Sequence, residues 1–513
     1  MVGSRWVIAT MLALFAAPGN GQDPQRNVPK PVELGPERQI FIDDWLVESR
    51  AGVRRVLHQP VKLPEPVLIG DQPWEGWMVY PHGSPCVMYD AAERIYKIWY
   101  QAYSIQAGKP GEHPKERYVM CYATSRDGLR WERPELGIHE FNGSSRNNIV
   151  IVGNQYWALT NVIKDESEPD PARRYKCLSY DRPGGPDAPY GISLAFSPDG
   201  IRWQLYPGNP VMTGVGDSHN ILPRDPRWGK FLGYFRPGSR TSGGIRTIAF
   251  STSDDFIHWS EPELILQPDT QDPVADEFYQ MPVTRYQGKY IGFLWVYHNS
   301  PRWSGTTTPP KLENVRGLQQ KMDTQLTYSQ DGKRFMRVAD REVWLPTGAP
   351  GNWDEGMIEA STLIERGDEL WIYYSGTGAL HTYESLQTLG KLVGGRRRMG
   401  AVGLAKLRRD GFVSLRAGSE EGVIITRQIS LGSINQLVLN ADASRGSIVV
   451  EILDPVLDPI AGRGRAEARP ISGDALEHVV TWKDGSALSG LRGRTVRLRI
   501  WLRDADLYSL QLR

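Results

Sequence analysis

Ser125-Arg126-Asp127-Gly128-Leu129-Arg130-Trp131 decides the fold, because the chain repeats it. Ser197-Pro198-Asp199-Gly200-Ile201-Arg202-Trp203, Ser253-Asp254-Asp255-Phe256-Ile257-His258-Trp259 and Ser329-Gln330-Asp331-Gly332-Lys333-Arg334-Phe335 keep the same order of Ser, Asp, turn residue and terminal aromatic. A fifth, shortened copy is Arg409-Asp410-Gly411-Phe412. Each copy ends a unit made of a short apolar strand, a turn, an aromatic-rich strand, a long loop and a third strand. Spacings of roughly 55 to 80 residues suit one four-stranded sheet per unit, the blade of a β-propeller. The reading is therefore all-β: a five-bladed β-propeller followed by a C-terminal β-sandwich.

Working outward, the first strands begin near His82, Asn161, His219, Tyr279 and Ile358. The second strands are rich in aromatic residues, as in Tyr96-Lys97-Ile98-Trp99-Tyr100 and Leu370-Trp371-Ile372-Tyr373-Tyr374, the composition that favours strands. Residues 22–75 form a Pro-rich lead-in expected to pack on the propeller, with one strand over Gln39–Val47. The propeller is assigned to residues 76–410. Over residues 411–513 the repeat gives way to short alternating strands, such as Gly446–Ile452 and Thr495–Trp501, the pattern of a sandwich. No segment outside the N-terminus has a convincing helical period.

Bulk properties exclude several functions. The 60 basic and 59 acidic residues of the 513-residue chain nearly cancel, and no long run of one sign occurs. Neither nucleic acid nor a charged membrane surface is implied as a partner. Cys86, Cys121 and Cys177 cannot all pair and sit in mid-strand among apolar neighbours, so they read as small buried hydrophobes. Residues 1–21 read as a signal peptide. Arg5 precedes an apolar stretch from Trp6 to Ala17 that is too short to span a bilayer. Cleavage near Gly21 and export, periplasmic or secreted, are expected. No Cys at that point suggests a lipid anchor.

Strands in a blade alternate direction, so the ends of the propeller can be labelled from sequence. If each first strand starts at the front, the long second-to-third loops are also at the front, and the Asp-Gly turns are at the back. Binding sites favour concave, loop-built surfaces, which selects the front. The Asp-Gly motifs then become structural turns, with Asp accepting backbone N–H bonds and Gly supplying positive φ. Arg224-Asp225-Pro226 also falls in a back-face hairpin and reads as a turn.

The polar residues left at the front are the candidate site. Asp217, Glu277 and Glu359 are the candidate catalytic carboxylates. Asp217 serves as base or nucleophile, Glu277 as acid, and Glu359 as reserve for either role. His82, Asn161, His219, Asn220, Arg246, Asp323 and Arg398 are candidate substrate-binding residues. Carboxylates converging on an axis suit acid/base chemistry, and paired carboxylates with separated proton affinities are the machinery of glycosidic-bond hydrolysis. No metal motif occurs and no cofactor is expected, although a propeller axis can hold a structural Ca²⁺ through oxygen ligands.

These features resemble the five-bladed propeller glycosidases of families 32, 43 and 68, in particular exported bacterial "family 32-like" proteins. The resemblance rests on the repeated turn, Phe41-Ile42-Asp43-Asp44-Trp45, Arg174-Tyr175-Lys176, Phe278-Tyr279-Gln280-Met281-Pro282, Tyr373-Tyr374-Ser375-Gly376 and the C-terminal module. It implies an exported glycoside hydrolase with a carbohydrate substrate. The chain departs from the family at Tyr80-Pro81-His82-Gly83-Ser84-Pro85, where family 32 carries Asn-Asp-Pro-Asn-Gly, and it lacks the family's Glu-Cys pair. Any catalytic set has therefore moved to the third to fifth units. The alternative is a non-catalytic carbohydrate-binding propeller. A third reading, a sialidase using Arg117, Arg246 and Arg398, meets repeats that lack the Ser-x-Asp-x-Gly-x-Thr-Trp form. Sugar, linkage, stereochemical outcome and oligomeric state leave no trace in the sequence.

Overall fold

The computed structural model describes residues 30–75, 78–79, 84–106, 115–153, 157–183, 187–238, 244–298, 320–381, 400–432 and 435–513. The signal-peptide assignment over residues 1–21 lies outside them, as do His82 and Arg398. The described residues contain strands and single-turn 3-10 segments such as Pro73–Glu75, and no α-helix.

The chain folds as a β-propeller. Antiparallel meanders follow one another in chain order, led by the first strands Cys86–Asp90, Ala158–Lys164, Val215–Asp225, Asp276–Gln280 with Val283–Tyr286, and Met357–Arg366. Second strands pair with both neighbours, as in Ile95–Gln106 between Cys86–Asp90 and Lys115–Ser125. Residues from every one of these first strands line one axial cavity of about 630 Å³, among them Val87, Ile163, Ile221, Val283 and Leu363.

Both faces of each sheet are covered, which explains why the second strands read as nearly unbroken apolar runs. Side chains alternate across a strand. In Ile95–Gln106, Ile98, Tyr100 and Ala102 join a core with Trp371 and Tyr373 of the fifth unit. Trp99, from the same strand, joins a different core with Tyr175 and Cys177 of the second unit. Period-two alternation here sorts residues between two cores, not between core and water. Cys121 and Cys177 are buried in these cores, whereas Cys86 opens its strand and is only partly buried.

The repeated turn is a staple. In all four full copies the Asp Oδ1 accepts the N–H groups two and three residues on, at 2.8–2.9 Å. The Ser Oγ accepts the N–H of the turn residue at 2.8–2.9 Å. That residue has positive φ: Gly128 76°, Gly200 78°, Phe256 70° and Gly332 81°. The turn carbonyl then takes a donor from the preceding or a neighbouring unit. Tyr373 Oη donates to Gly128 O at 2.8 Å, Trp99 Nε1 to Gly200 O at 2.7 Å, and Tyr234 Oη to Gly332 O at 2.7 Å. The motif thus fastens adjacent units together.

The lead-in is woven through the molecule. Val61–Lys62 and Leu68–Ile69 pair with Ala401–Arg408 and supply the outer strand of the fifth unit. Val32–Glu33, Gln39–Ile40, Val47–Ala51 and Arg54–Leu57 enter an eleven-stranded C-terminal sheet. The expected single strand over Gln39–Val47 is broken at Phe41–Leu46, where the Asp43 carboxylate accepts Trp45 N–H and Asp44 O accepts Val47 N–H. In the C-terminal sheet the 17-residue strand Leu437–Leu453 changes partners midway, pairing first with Ala505–Leu512 and then with Thr495–Arg503. Asp410, from the shortened fifth copy, is fully buried and accepts from Arg38 Nε (2.9 Å), Tyr286 Oη (2.6 Å) and Ser509 Oγ (2.6 Å). It fastens the lead-in, the propeller and the C-terminal sheet to one carboxylate.

Candidate functional site

The end opposite the staples holds the starts of the first strands and the ends of the second. Asp217 lies near the start of Val215–Asp225, where the pairing register shifts between Val215 and His219. Arg236, near the end of Lys230–Pro237 in the same hairpin, forms an ion pair with it. Glu277, second residue of Asp276–Gln280, accepts from Arg246 at the head of the third strand of the preceding unit: 2.7 Å from Nη1 and 3.2 Å from the backbone N–H. The Arg246 carbonyl in turn accepts Phe278 N–H at 3.0 Å, so strand pairing fixes the ion pair.

Tyr279 sits between these pairs. Arg236 and Arg246 each place their guanidinium carbon 5.3 Å from its ring. Its hydroxyl is 3.2 Å from His381 Nε2, and the His381 ring lies 4.8 Å from that of Tyr297. Burial raises the Tyr279 phenol above its ordinary range, and the charge on Asp217 adds to this while Arg236 and Arg246 oppose it. Burial does the same at Tyr297. Both phenols therefore stay protonated as hydrogen-bond donors. Burial lowers the Arg246 guanidinium, but Tyr279 and Glu277 more than compensate, so it keeps its charge. Glu359 is fully buried in Met357–Arg366 beside Ser375 Oγ, at 3.4 Å, and its charge also reaches Tyr279.

Next to Glu277, His298 bridges two buried carboxylates, with Nδ1 3.0 Å from Asp276 and Nε2 2.9 Å from Asp323. Burial alone would lower its pKa, yet the hydrogen bonds to Asp276 and Asp323 push it up to about 10. It is an imidazolium at neutral pH. Asp323 is thus a partner of His298 and holds the second and third strands of its unit together.

The structure distributes the sequence candidates unequally. Asp217, Glu359 and Arg246 act on Tyr279, and Glu277 joins them through its ion pair with Arg246. Asn161 and Asn220 instead join successive first strands: Ile221 N–H donates to Asn161 Oδ1 at 3.1 Å and Val283 N–H to Asn220 Oδ1 at 2.9 Å. His219 is fully buried, stacks on Phe235 and has its pKa lowered by burial, so it is a neutral core histidine whose Nδ1 lies 3.2 Å from Asp217 O. The Arg117 side chain, like His82 and Arg398, lies outside the described residues. Asp225 of Arg224-Asp225-Pro226 closes a back-face hairpin, accepting Arg227 and Trp228 N–H and Tyr290 Oη.

Arg236, Tyr279, Tyr297 and His298 are site residues that the polar starts of the first strands do not mark in the sequence. Arg236, Tyr297 and His298 lie at or near the ends of second strands, which the same strand-reversal count places at the front. That was the available signal. Among the described residues, no group of three or more His, Cys, Asp or Glu side chains is arranged to hold a metal ion, and no helix is long and apolar enough to cross a membrane. The arrangement offers carboxylates held by arginines, protonated phenols and a buried carboxyl around one point, a set able to move protons and to hold polar ligands.

No family model and no curated protein matches the chain. Among solved structures the chain is similar to a glycoside hydrolase at 12% identity, covering 67% of this chain and 92% of that one with a TM-score of 0.44. It is similar to a β-1,2-mannobiose phosphorylase from Listeria innocua at 11% identity, covering 68% and 96% with a TM-score of 0.44. A fructofuranosidase from Schwanniomyces occidentalis is similar at 11% identity over 87% of this chain and 97% of that one, with a TM-score of 0.42.

Proposed function

We propose that the protein is an exported glycoside hydrolase acting on a polysaccharide or oligosaccharide at the front mouth of the propeller. One observation carries this reading: Asp217, Arg236 and Arg246 of the third unit and Glu359 of the fifth all act electrostatically on the single phenol of Tyr279 in the fourth, and both guanidinium carbons lie 5.3 Å from its ring. Acid/base cleavage of a glycosidic bond uses two carboxyl groups flanking that bond, one at the leaving-group oxygen and one at the opposite face of the sugar ring. Asp217, held by Arg236, is assigned as base or nucleophile. Glu277 is assigned as acid. Its Oε2 accepts both Arg246 donors, which hold the carboxyl group in place. Glu359 is the alternative for either role, and Tyr279 and His381 would position the sugar. The basic and apolar leader from Arg5 to Ala17 supports export.

A second reading, a carbohydrate-binding propeller without turnover, is favoured by the engagement of both Asp217 and Glu277 in ion pairs with arginine. Incubating the purified mature protein with a polysaccharide panel, while following reducing ends and binding together, separates the two. Released sugar supports hydrolysis. Binding without release supports the second reading, and neither event contradicts both.

A further inference from the structure

Beside Asp217, at the front end of the second and third units, lies a cavity of about 580 Å³. Tyr180, Tyr190, Arg236 and Arg246 form its wall, with four glycines among the remaining lining residues. No acidic residue is among the described residues that line it. Tyr180 and Tyr190 stack with ring centroids 5.4 Å apart and planes 8° from parallel. Arg182 lies 4.7 Å over the Tyr190 ring. The lining is therefore both aromatic and cationic.

The two lining arginines have donors beyond those used by their carboxylate partners. Arg236 gives Nη2 to Asp217, while its Nη1 is buried and has no hydrogen-bond partner. Arg246 gives Nη1 to Glu277, and its side chain remains 27% exposed. A guanidinium carries five N–H donors in a planar fork that matches a carboxylate or sulfate edge. Both side chains line the cavity and keep some exposure, 15% for Arg236 and 27% for Arg246, so an anionic group placed there meets two guanidinium charges. A sugar ring can pack against the tyrosine pair while its charged substituent meets the arginines.

We propose that this cavity is a subsite for an acidic sugar, one bearing a carboxylate or a sulfate ester. The proposal rests on the carbohydrate reading above and narrows it to anionic glycans. Titration calorimetry of the intact protein would compare trigalacturonate with its methyl ester, and a sulfated galactan tetrasaccharide with its desulfated form. The expected result is that at least one charged probe binds roughly tenfold or more tightly than its neutral counterpart, the size of one charge-assisted hydrogen bond. The uronate and sulfate arms identify which substituent is taken. Arg236→Gln should weaken the charged probe more than the neutral one, cutting the charged-over-neutral preference roughly tenfold, as for loss of a single charge-assisted contact. Should that variant not fold, Arg246→Gln carries the same expectation, with thermal unfolding as the control.

Equal affinity for charged and neutral probes, binding of none of the four, or an equal loss for both in the variants would overturn the proposal. Charged-probe binding with no turnover would leave it standing and overturn the hydrolase reading. Turnover of neutral glycans alone would do the reverse.

Discussion

Replacing His298 with glutamine removes the cation that Asp276 and Asp323 share. The His298 side chain is 12% exposed, so solvent screens the contacts little. Its folded pKa of about 10 lies above the ordinary value of 6.5. A raised pKa means that the stabilisation is complete below about pH 6.5 and is lost as the pH rises through about 10. At about 1.4 kcal/mol per pH unit, the span from 6.5 to about 10 corresponds to about 5 kcal/mol. The stability gap between wild type and His298→Gln should therefore be largest near pH 6 and shrink steadily towards pH 10, as read by urea unfolding across that range. In histidine-labelled protein, the ring resonance that disappears in the variant should show no titration between pH 5 and 8. A resonance titrating with a midpoint near 6.5, or a stability gap that does not change with pH, would refute this account of the Asp276–His298–Asp323 bridge.

Tyr373→Phe removes the donor that the fifth unit gives to the Gly128 carbonyl and should cost about 1–3 kcal/mol, the penalty for an unsatisfied buried acceptor, measured by chemical denaturation. Asp410→Ala leaves Arg38, Tyr286 and Ser509 without their common acceptor and should cost roughly 3–5 kcal/mol, as for breaking a buried ion pair; limited proteolysis should then cut the lead-in sooner. The amide N–H of Arg130 leads in holding Asp127 below the usual carboxylate range, and in Asp199, Asp255 and Asp331 such bonds outweigh the opposing effect of burial. A depressed pKa gives stability that is present above the unfolded value and lost below it. The gap between wild type and Asp127→Asn should accordingly narrow as the pH falls below about 4, the ordinary Asp value.

The propeller was legible because its marker is local. Ser125, Asp127 and Gly128 bond to one another's backbone within a few residues, so the spacing carries the geometry. The same locality exposed Asp225 as a turn residue. What the sequence did not reveal depends on contacts made across long separations. The strands at Val61–Lys62 and Leu68–Ile69 have two residues each, too few for a period, and their partner strand lies over 300 residues away. Asp410 resembles a worn local turn, but its partners include Arg38, 372 residues distant. At the site, the polar starts of the first strands were readable and led to Asp217, Glu277 and Glu359. Their partners Arg236 and Arg246 depend on a hairpin with a shifted register and on contact between units. Asn161 and Asn220 looked like ligands of the mouth because polarity alone cannot distinguish an amide facing a cavity from one capping a neighbouring strand's N–H.

The central claim is that the repeated staple is structural and that the chemistry lies at the opposite end of the strands. The most direct measurement is turnover of a substrate drawn from the polysaccharide panel by Asp217→Asn and by Asp199→Ala, each checked for native folding. Asp217→Asn should lose a factor of about 10² to 10⁴ in kcat, the usual contribution of a positioned acid or base, without a matching loss of stability. Asp199→Ala should be less stable, having lost two backbone hydrogen bonds and one from a serine hydroxyl, and should keep its kcat. Full turnover by folded Asp217→Asn, together with a collapse of kcat in folded Asp199→Ala, would contradict the account.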